Sequence, residues 1–240
     1  MRLDKLLAEQ LGSRARAQDA IKAGRVQVKN RTVTKASLDV ADPEEVTVLP
    51  AAQDFVSRAG AKLKKAVDEC GIRLENQVVL DIGASTGGFT DVCLQEGARK
   101  VYALDVGHLQ LAERLDHDPR VVKMEGFNAK NLKASDLAET PDFLCMDVSF
   151  ISAVSVLDPV LRQLPVRHLA VLVKPQFECG PAALNKHGVL RDDRIRSRII
   201  QDMKSWLLQH FAHVRIVDDI LPGRSGNREA MLYAWERRKP

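Results

Sequence analysis

Four charged residues and one glycine-rich stretch have the types and spacing to do chemistry. Lys62 in SRAGAKL, Asp147 in CMDVSF, Lys174 in VLVKPQFE and Glu229 in GNREAMLY each stand where an apolar segment meets a polar one. Asp147 and Lys174 end apolar runs that read as buried strands, where an unpaired charge is costly. Two lysines and two carboxylates so placed suit proton transfer and charge neutralisation, with a pair of structural salt bridges as the plainer alternative. The stretch from Val78 to Thr90, VVLDIGASTGGFT, reads as a short strand, a glycine turn and a helix start. Asp81 ends the strand, where open α/β sheets bind ligands. Gly83, Gly87 and Gly88 allow positive φ and close approach of a ligand. A carboxylate ahead of the glycines, with the first two glycines four apart, suits a cationic or hydroxyl-bearing ligand more than a pyrophosphate. An ordinary βα turn with a solvated aspartate is the alternative.

The elements that position these residues follow from periodicity. From Asn76 onward strands and helices alternate: VVLDIG, a helix over 88–96, VYALDVG, a helix over 109–115, VVKMEG, a helix near 134–138, then DFLCMDVSF. A helix over 154–163, HLAVLVKPQFE, a long helix over 192–210 and the strands VRIVDDI and AMLYAWER follow. This rhythm predicts a mostly parallel sheet with helices on both faces, an α/β Rossmann-like domain over 55–240. The last two strands, joined by LPGRSGNRE, form an antiparallel hairpin at one edge. Asp105, 24 residues past Asp81 and at the end of the next strand, stands where such folds read a ribose diol. A basic helix, FVSRAGAKLKKAVDECGI, leads into the first strand of the sheet and carries Lys62.

Ahead of this lies a small α+β module, residues 1–49, and a short linker, 50–54. Leu3, Leu6, Leu7 and Leu11 share a helix face over 2–12; Gly12-Ser13 stops that helix and caps the next, which ends at Gly24. RVQVKNRTVTKASLDV reads as a hairpin turning at Lys29-Asn30-Arg31, and EVTVL as the module's last strand. Arg2, Lys5, Arg14, Arg16, Lys22 and Arg25 are its candidate phosphate contacts. A merely solvated charged surface is the alternative.

Composition narrows the classes. A net charge of +4 and a pI of about 8.9, with bunched basic residues, point to an anionic partner such as nucleic acid. The four cysteines, Cys70, Cys93, Cys145 and Cys179, fall singly and read as reduced thiols without structural zinc. The six histidines form no ligand cluster, so no metal is expected. The N-terminus is charged where a signal peptide needs an apolar core, and no apolar run reaches the ~20 residues of a membrane span. A soluble, cytoplasmic protein is expected; the oligomeric state is not legible.

DIGASTGGFT resembles the first motif of S-adenosylmethionine-dependent methyltransferases. The resemblance implies cofactor contacts from Asp81, Gly83, Ala84, Ser85, Gly87, Gly88 and Phe89, with Asp105 on the ribose and the Glu125–Asn128 turn, Asn128 in particular, on the adenine side. RLDKLL, SRARAQDAIKAGRVQVKN and VTKAS resemble the S-four domain, an RNA-binding module. Lys62, Asp147, Lys174 and Glu229 are in order and context like the K-D-K-E tetrad of FtsJ-like ribose 2′-O-methyltransferases. With DVSFIS, HGVLRD and PGRSGN, the chain resembles over nearly its full length the TlyA family, which joins those two domains and is often labelled hemolysin. The resemblance implies methyl transfer to a cytidine ribose of ribosomal RNA, within a ribosomal subunit or ribosome. Lys174 then serves as base if neutral, with Lys62 favouring the neutral amine, Asp147 orienting and Glu229 holding Lys62 or the nucleotide. Base amino-group methylation commonly shows N/D-P-P-Y/F where this chain has Met146-Asp147-Val148-Ser149, and Cys145 precedes the acid on a buried strand, unlike a ring-carbon nucleophile. A membrane-active cytolysin and a non-catalytic RNA-binding assembly factor are the rival readings.

Overall fold

Ser13 shows local chemistry setting the boundaries of the first unit: its Oγ accepts from the N–H of Arg16 at 3.2 Å and so caps α2 (Arg14–Lys22), separating it from α1 (Leu3–Gln10). The computed structural model describes residues 1–49, 55–218, 220–223 and 225–238, so the expected linker, 50–54, lies outside the described residues. The chain divides into two compact units, Met1–Asp54 and Phe55–Pro240. In the first, β1 (Val26–Val28) lies between β2 (Arg31–Thr32) and β3 (Val46–Val48), antiparallel to both. Lys29 and Asn30 take φ of 52° and 61°, the two left-handed positions of a tight hairpin turn, which moves Arg31 out of the turn into β2. Leu3, Leu7, Ala17, Ala20, Ile21, Val26 and Val40 make its core.

The second unit carries α3 (Arg58–Cys70), β4 (Val78–Ile82), α4 (Gly88–Gln95), β5 (Lys100–Asp105), α5 (Glu113–Asp116), β6 (Val121–Glu125), β7 (Phe143–Met146), α6 (Ala153–Gln163), β8 (His168–Val173), α7 (Asp193–His210), β9 (Phe211–Val217) and β10 (Ala230–Arg237). Its sheet runs β6-β5-β4-β7-β8-β10-β9, parallel as far as β8, with β10 antiparallel to both β8 and β9. Strand order reverses beside β4, which opens a crevice at the carboxyl ends of β4 and β7. Side chains alternate across the sheet: Val78, Leu80 and Ile82 pack with Leu157 and Val160 of α6 and Ile200 and Leu207 of α7. Val79 packs with Leu63 and Val67 of α3 and Phe89 and Val92 of α4. Asp81 shares the parity of Val79 and therefore faces the α3–α4 side.

Three expected elements differ. The helix read over 109–115 is a single turn, Glu113–Asp116, because Leu109 is left-handed (φ 53°), a path that the Glu125 carboxylate holds by accepting from the N–H groups of Leu109, Gln110 and Leu111. The helix near 134–138 is a 3-10 turn, Ala134–Asp136. The strand read from Val214 starts at Phe211, directly after α7.

Candidate active site

The antiparallel insertion of β10 is what assembles the charged residues. Because β10 runs against β8 with Ala230 opposite Val173, Glu229 arrives at the same sheet edge as Lys174, which follows β8. Asp147 follows β7 at that edge and donates its own N–H to Ile82 O at 2.9 Å. Lys62, on α3, completes the group. All four line one cleft of about 470 Å³, together with Ser57, Ala84, Ser85, Gly88, Phe89, Ser149 and Gln176.

Within it the charges form two ion pairs. Lys174 Nζ lies 2.6 Å from Asp147 Oδ1 and donates to Ser149 Oγ at 2.8 Å. Lys62 pairs with Glu229, both side chains more than nine-tenths buried, and Gln176 Nε2 donates to the other Glu229 oxygen at 3.1 Å. Lys62 is therefore not a bare cation facing Lys174 but half of a neutral pair. Ser149 and Gln176 carry these second contacts and escape the sequence reading; as a serine and a glutamine on loops they give no signal by type. Phe150, next to Ser149, takes φ 64°, is 89% exposed, and sets its ring 4.9 Å from that of Phe177 at the cleft mouth.

The glycine turn is built for close packing as well as for access. Gly83 takes φ 81°, and a Cβ there would stand 2.6 Å from the Asp147 carbonyl oxygen, so the turn after β4 sits directly on the chain leaving β7. Gly87 takes φ 92°, and its Cβ would meet Leu115 Cδ1 at 2.3 Å. Gly88 differs from expectation: it begins α4 without a positive φ, and Ser57 Oγ occupies the place of a Cβ. These contacts come from the chain's own side chains and backbone, so the three glycines are required before any ligand is considered.

Asp81, expected as a carboxylate at the mouth of the crevice, lies deeper and is not among the residues that line the cleft. It is fully buried; Oδ2 accepts from Thr90 Oγ1 at 2.7 Å, and Oδ1 receives no hydrogen bond among the described residues. Burial pushes its pKa up to about 7, against the lowering bond from Thr90 and with the repulsion of the Asp147 charge. Asp105 accepts from Ser85 N–H and Gly107 N–H, both at 2.8 Å, tying the end of β5 to the glycine turn. Asn128 Oδ1 caps the turn Ala129–Asn131 through Lys130 N–H. Glu125, expected with Asn128 on the ligand, instead spends its carboxylate on the backbone of 109–111.

In the first unit, Asp4 is fully buried and accepts from Arg2 Nε and Nη2 at 3.1 Å, Arg14 Nε at 3.0 Å and Gln18 Nε2 at 2.9 Å. The guanidinium of Arg2 heads the causes that hold its carboxyl well below the usual range. Two of the six candidate phosphate contacts, Arg2 and Arg14, are thus half-exposed and oriented by one carboxylate. Lys5, Arg16 and Lys22 are exposed, and Arg25 is half-buried, its Nη1 reaching Leu49 O at 3.5 Å.

Comparison with known proteins gives this geometry a family. Residues 55–236 match the family model of the FtsJ-like methyltransferases, and residues 1–46 that of the S4 domain. The 16S/23S rRNA (cytidine-2′-O)-methyltransferase TlyA of Mycobacterium tuberculosis (strain ATCC 25618 / H37Rv) is 38% identical, over 92% of this chain and 84% of its own. The chain belongs to the TlyA family of FtsJ-like methyltransferases. Hemolysin A of Brachyspira hyodysenteriae is 41% identical, over 97% of this chain and 99% of its own. A solved structure from Streptococcus thermophilus, provisionally called a hemolysin, superposes with a TM-score of 0.76 at 32% identity, covering 100% of this chain and 90% of that one. The two family-model matches fall on the two units described above, the S4 domain on the first and the FtsJ-like methyltransferase on the second. No helix among the described residues is long and apolar enough to cross a membrane.

Proposed function

We propose that this protein transfers a methyl group from S-adenosylmethionine to a ribose 2′-hydroxyl of ribosomal RNA, on a cytidine, acting on a ribosomal subunit or ribosome in the cytoplasm. The observation that carries the reading is the pair of ion pairs, Lys174–Asp147 and Lys62–Glu229, in one cleft with the glycine turn.

The residues present fit the cofactor. Asp81 offers a buried carboxylate oxygen without a partner, Gly83, Ala84, Ser85, Gly88 and Phe89 form the adjoining wall, and Asp105 is fixed beside Ser85 to read a ribose diol. Gly87 supports that wall from behind, and Asn128 is the adenine-side candidate. When bound, the cofactor supplies an electrophilic methyl on a sulfonium. A ribose hydroxyl is a poor nucleophile near pH 7, so the chain must take its proton as the new bond to carbon forms. Lys174 Nζ accepts that proton as a neutral amine, after the ammonium of the Asp147 ion pair has given one proton to solvent; Asp147 then pairs with the ammonium that re-forms, and Ser149 fixes the amine's direction. Gln176 holds the Glu229 carboxylate, which in turn pairs with the buried Lys62 and fixes the wall of the cleft beside the reacting groups. Phe150 offers an exposed ring to an unstacked base. The first unit binds the RNA, through Arg2 and Arg14 held by Asp4 and through Lys5, Arg16, Lys22 and Arg25.

The test is methylation of ribosomes lacking the modification, followed by mapping of ribose methyl groups. A new 2′-O-methylcytidine supports the reading; methylation confined to a base, or none, overturns it.

A further inference from the structure

The segment between β5 and α5 has little regular structure, yet it forms one side of the glycine turn. Ala112 N–H donates to Thr86 O at 3.2 Å, and Leu111 and Leu115 press their Cδ1 atoms against Gly87, at 2.9 and 2.3 Å from where a Cβ would be. Its other end carries Gly107, whose N–H fixes Asp105 Oδ1 at 2.8 Å. The geometry of the glycine turn therefore depends on this segment holding its path, although it makes no helix until Glu113 and exposes Val106 and Leu109 to 69% and 93%. Apolar burial does not hold its middle.

One side chain does. Glu125 Oε2 accepts from Leu109 N–H at 2.8 Å, and Oε1 accepts from Gln110 N–H at 2.9 Å and Leu111 N–H at 3.3 Å. These three backbone bonds hold the Glu125 carboxyl below its ordinary pKa, the one from Gln110 contributing most. They also stabilise the left-handed turn at Leu109, φ 53°, a conformation that costs a branched, non-glycine residue free energy. The neighbouring turn interlocks: Gly126 N–H donates to Gly107 O at 2.9 Å, and the His108 ring lies where a Gly126 Cβ would be.

We propose that Glu125 is a positioning residue for the cofactor site: its carboxylate clamps the backbone of 109–111, and through Leu111, Leu115 and Gly107 it keeps the glycine turn and Asp105 in their binding geometry. This role rests on the cofactor reading above. It needs no contact between Glu125 and the ligand, and it accounts for an acidic residue at the end of β6 whose oxygens are already engaged. Removing the clamp lets the segment sample open paths, and apparent affinity falls by the fraction of time the competent path is kept.

The experiment is calorimetry of S-adenosylhomocysteine binding to the full chain, with amide hydrogen exchange of 107–115, for the wild type, Glu125→Ala and Glu125→Gln. Glu125→Ala should weaken binding roughly tenfold, corresponding to a path kept about a tenth of the time, and speed exchange at 109–111. Turnover at saturating cofactor should stay within about twofold, since the reacting groups are untouched. Glu125→Gln, which keeps an acceptor oxygen, should recover part of the affinity. Unchanged affinity in Glu125→Ala, or exchange that rises evenly over the whole unit, overturns the clamp. A wild type that fails to bind S-adenosylhomocysteine overturns the cofactor reading itself, which keeps the two failures apart.

Discussion

Replacing Asp81 by Asn should stabilise the protein and disable it, and the stabilisation should depend on pH. The wild-type carboxyl has its pKa raised from 3.8 to about 7. A group that binds its proton more tightly when folded contributes stability that is fully present below the unfolded pKa and lost as pH rises through the folded one. For Asp81 that loss runs from about pH 4 to about pH 7. At about 1.36 kcal/mol per pH unit, it amounts to roughly 4 kcal/mol over that window. Asparagine keeps an acceptor for Thr90 Oγ1 and does not ionise, so the variant should gain on the wild type by about 2–3 kcal/mol between pH 5 and pH 8. Urea unfolding followed by tryptophan fluorescence reads this directly, because both tryptophans, Trp206 and Trp235, lie in the methyltransferase unit. Calorimetry on the same variant should show lost affinity for S-adenosylhomocysteine. A stability difference that does not change between pH 5 and pH 8 would refute the argument that burial suppresses Asp81 ionisation.

The other predictions concern charge and targeting. Lys174→Ala should cut turnover by about 10²–10⁴ while leaving affinity for S-adenosylhomocysteine and ribosomes nearly intact, and Lys174→Arg should not rescue it, because guanidinium keeps its proton. An arginine variant with near-normal turnover would mean that the lysine only neutralises charge. Lys62→Ala or Glu229→Ala alone should each destabilise by about 3–5 kcal/mol by stranding a buried charge, and the double variant should cost much less than their sum; additive losses in urea unfolding would contradict the pairing. A chain beginning at Ala52 should keep cofactor affinity and lose methylation of ribosomes, and ribosome binding by the full chain should fall steeply with salt. Equal methylation by the shortened chain would remove the targeting role from the first unit.

Much of the fold is legible in the sequence because it is written in periodicity. The continuous apolar run Val78–Ile82, broken only by Asp81, reads as an interior strand, and the glycine turn after it marks the crevice. Lys62, Asp147, Lys174 and Glu229 are legible as charges at the ends of apolar segments, and the structure brings all four into one cleft. What is not legible has a common cause: contacts between side chains and backbone that only the folded chain brings together. The helix expected over 109–115 starts late because Leu109 takes a left-handed φ, a turn fixed by the Glu125 carboxylate from another strand. Position at a strand end suggests an Asp81 carboxylate at the crevice mouth, and does not reveal that it is fully covered and bound by Thr90 of α4. Gly87 and Gly88 suggest room for a ligand, but Leu115 and Ser57 fill that room. Arg2 and Arg14 suggest phosphate contacts by type, and only the fold shows that a buried Asp4 holds both.

The central claim is that the Lys174–Asp147 and Lys62–Glu229 pairs drive methyl transfer to a ribose hydroxyl of ribosomal RNA. Ribosomes from cells lacking this protein, incubated with S-adenosylmethionine bearing a labelled methyl group and either the wild type or Lys174→Ala, test it most directly when the labelled RNA is digested to nucleosides. The expected result is label in 2′-O-methylcytidine with the wild type and a signal lower by about 10²–10⁴ with the variant. Label on a nucleobase, or equal labelling by the two proteins, would contradict it.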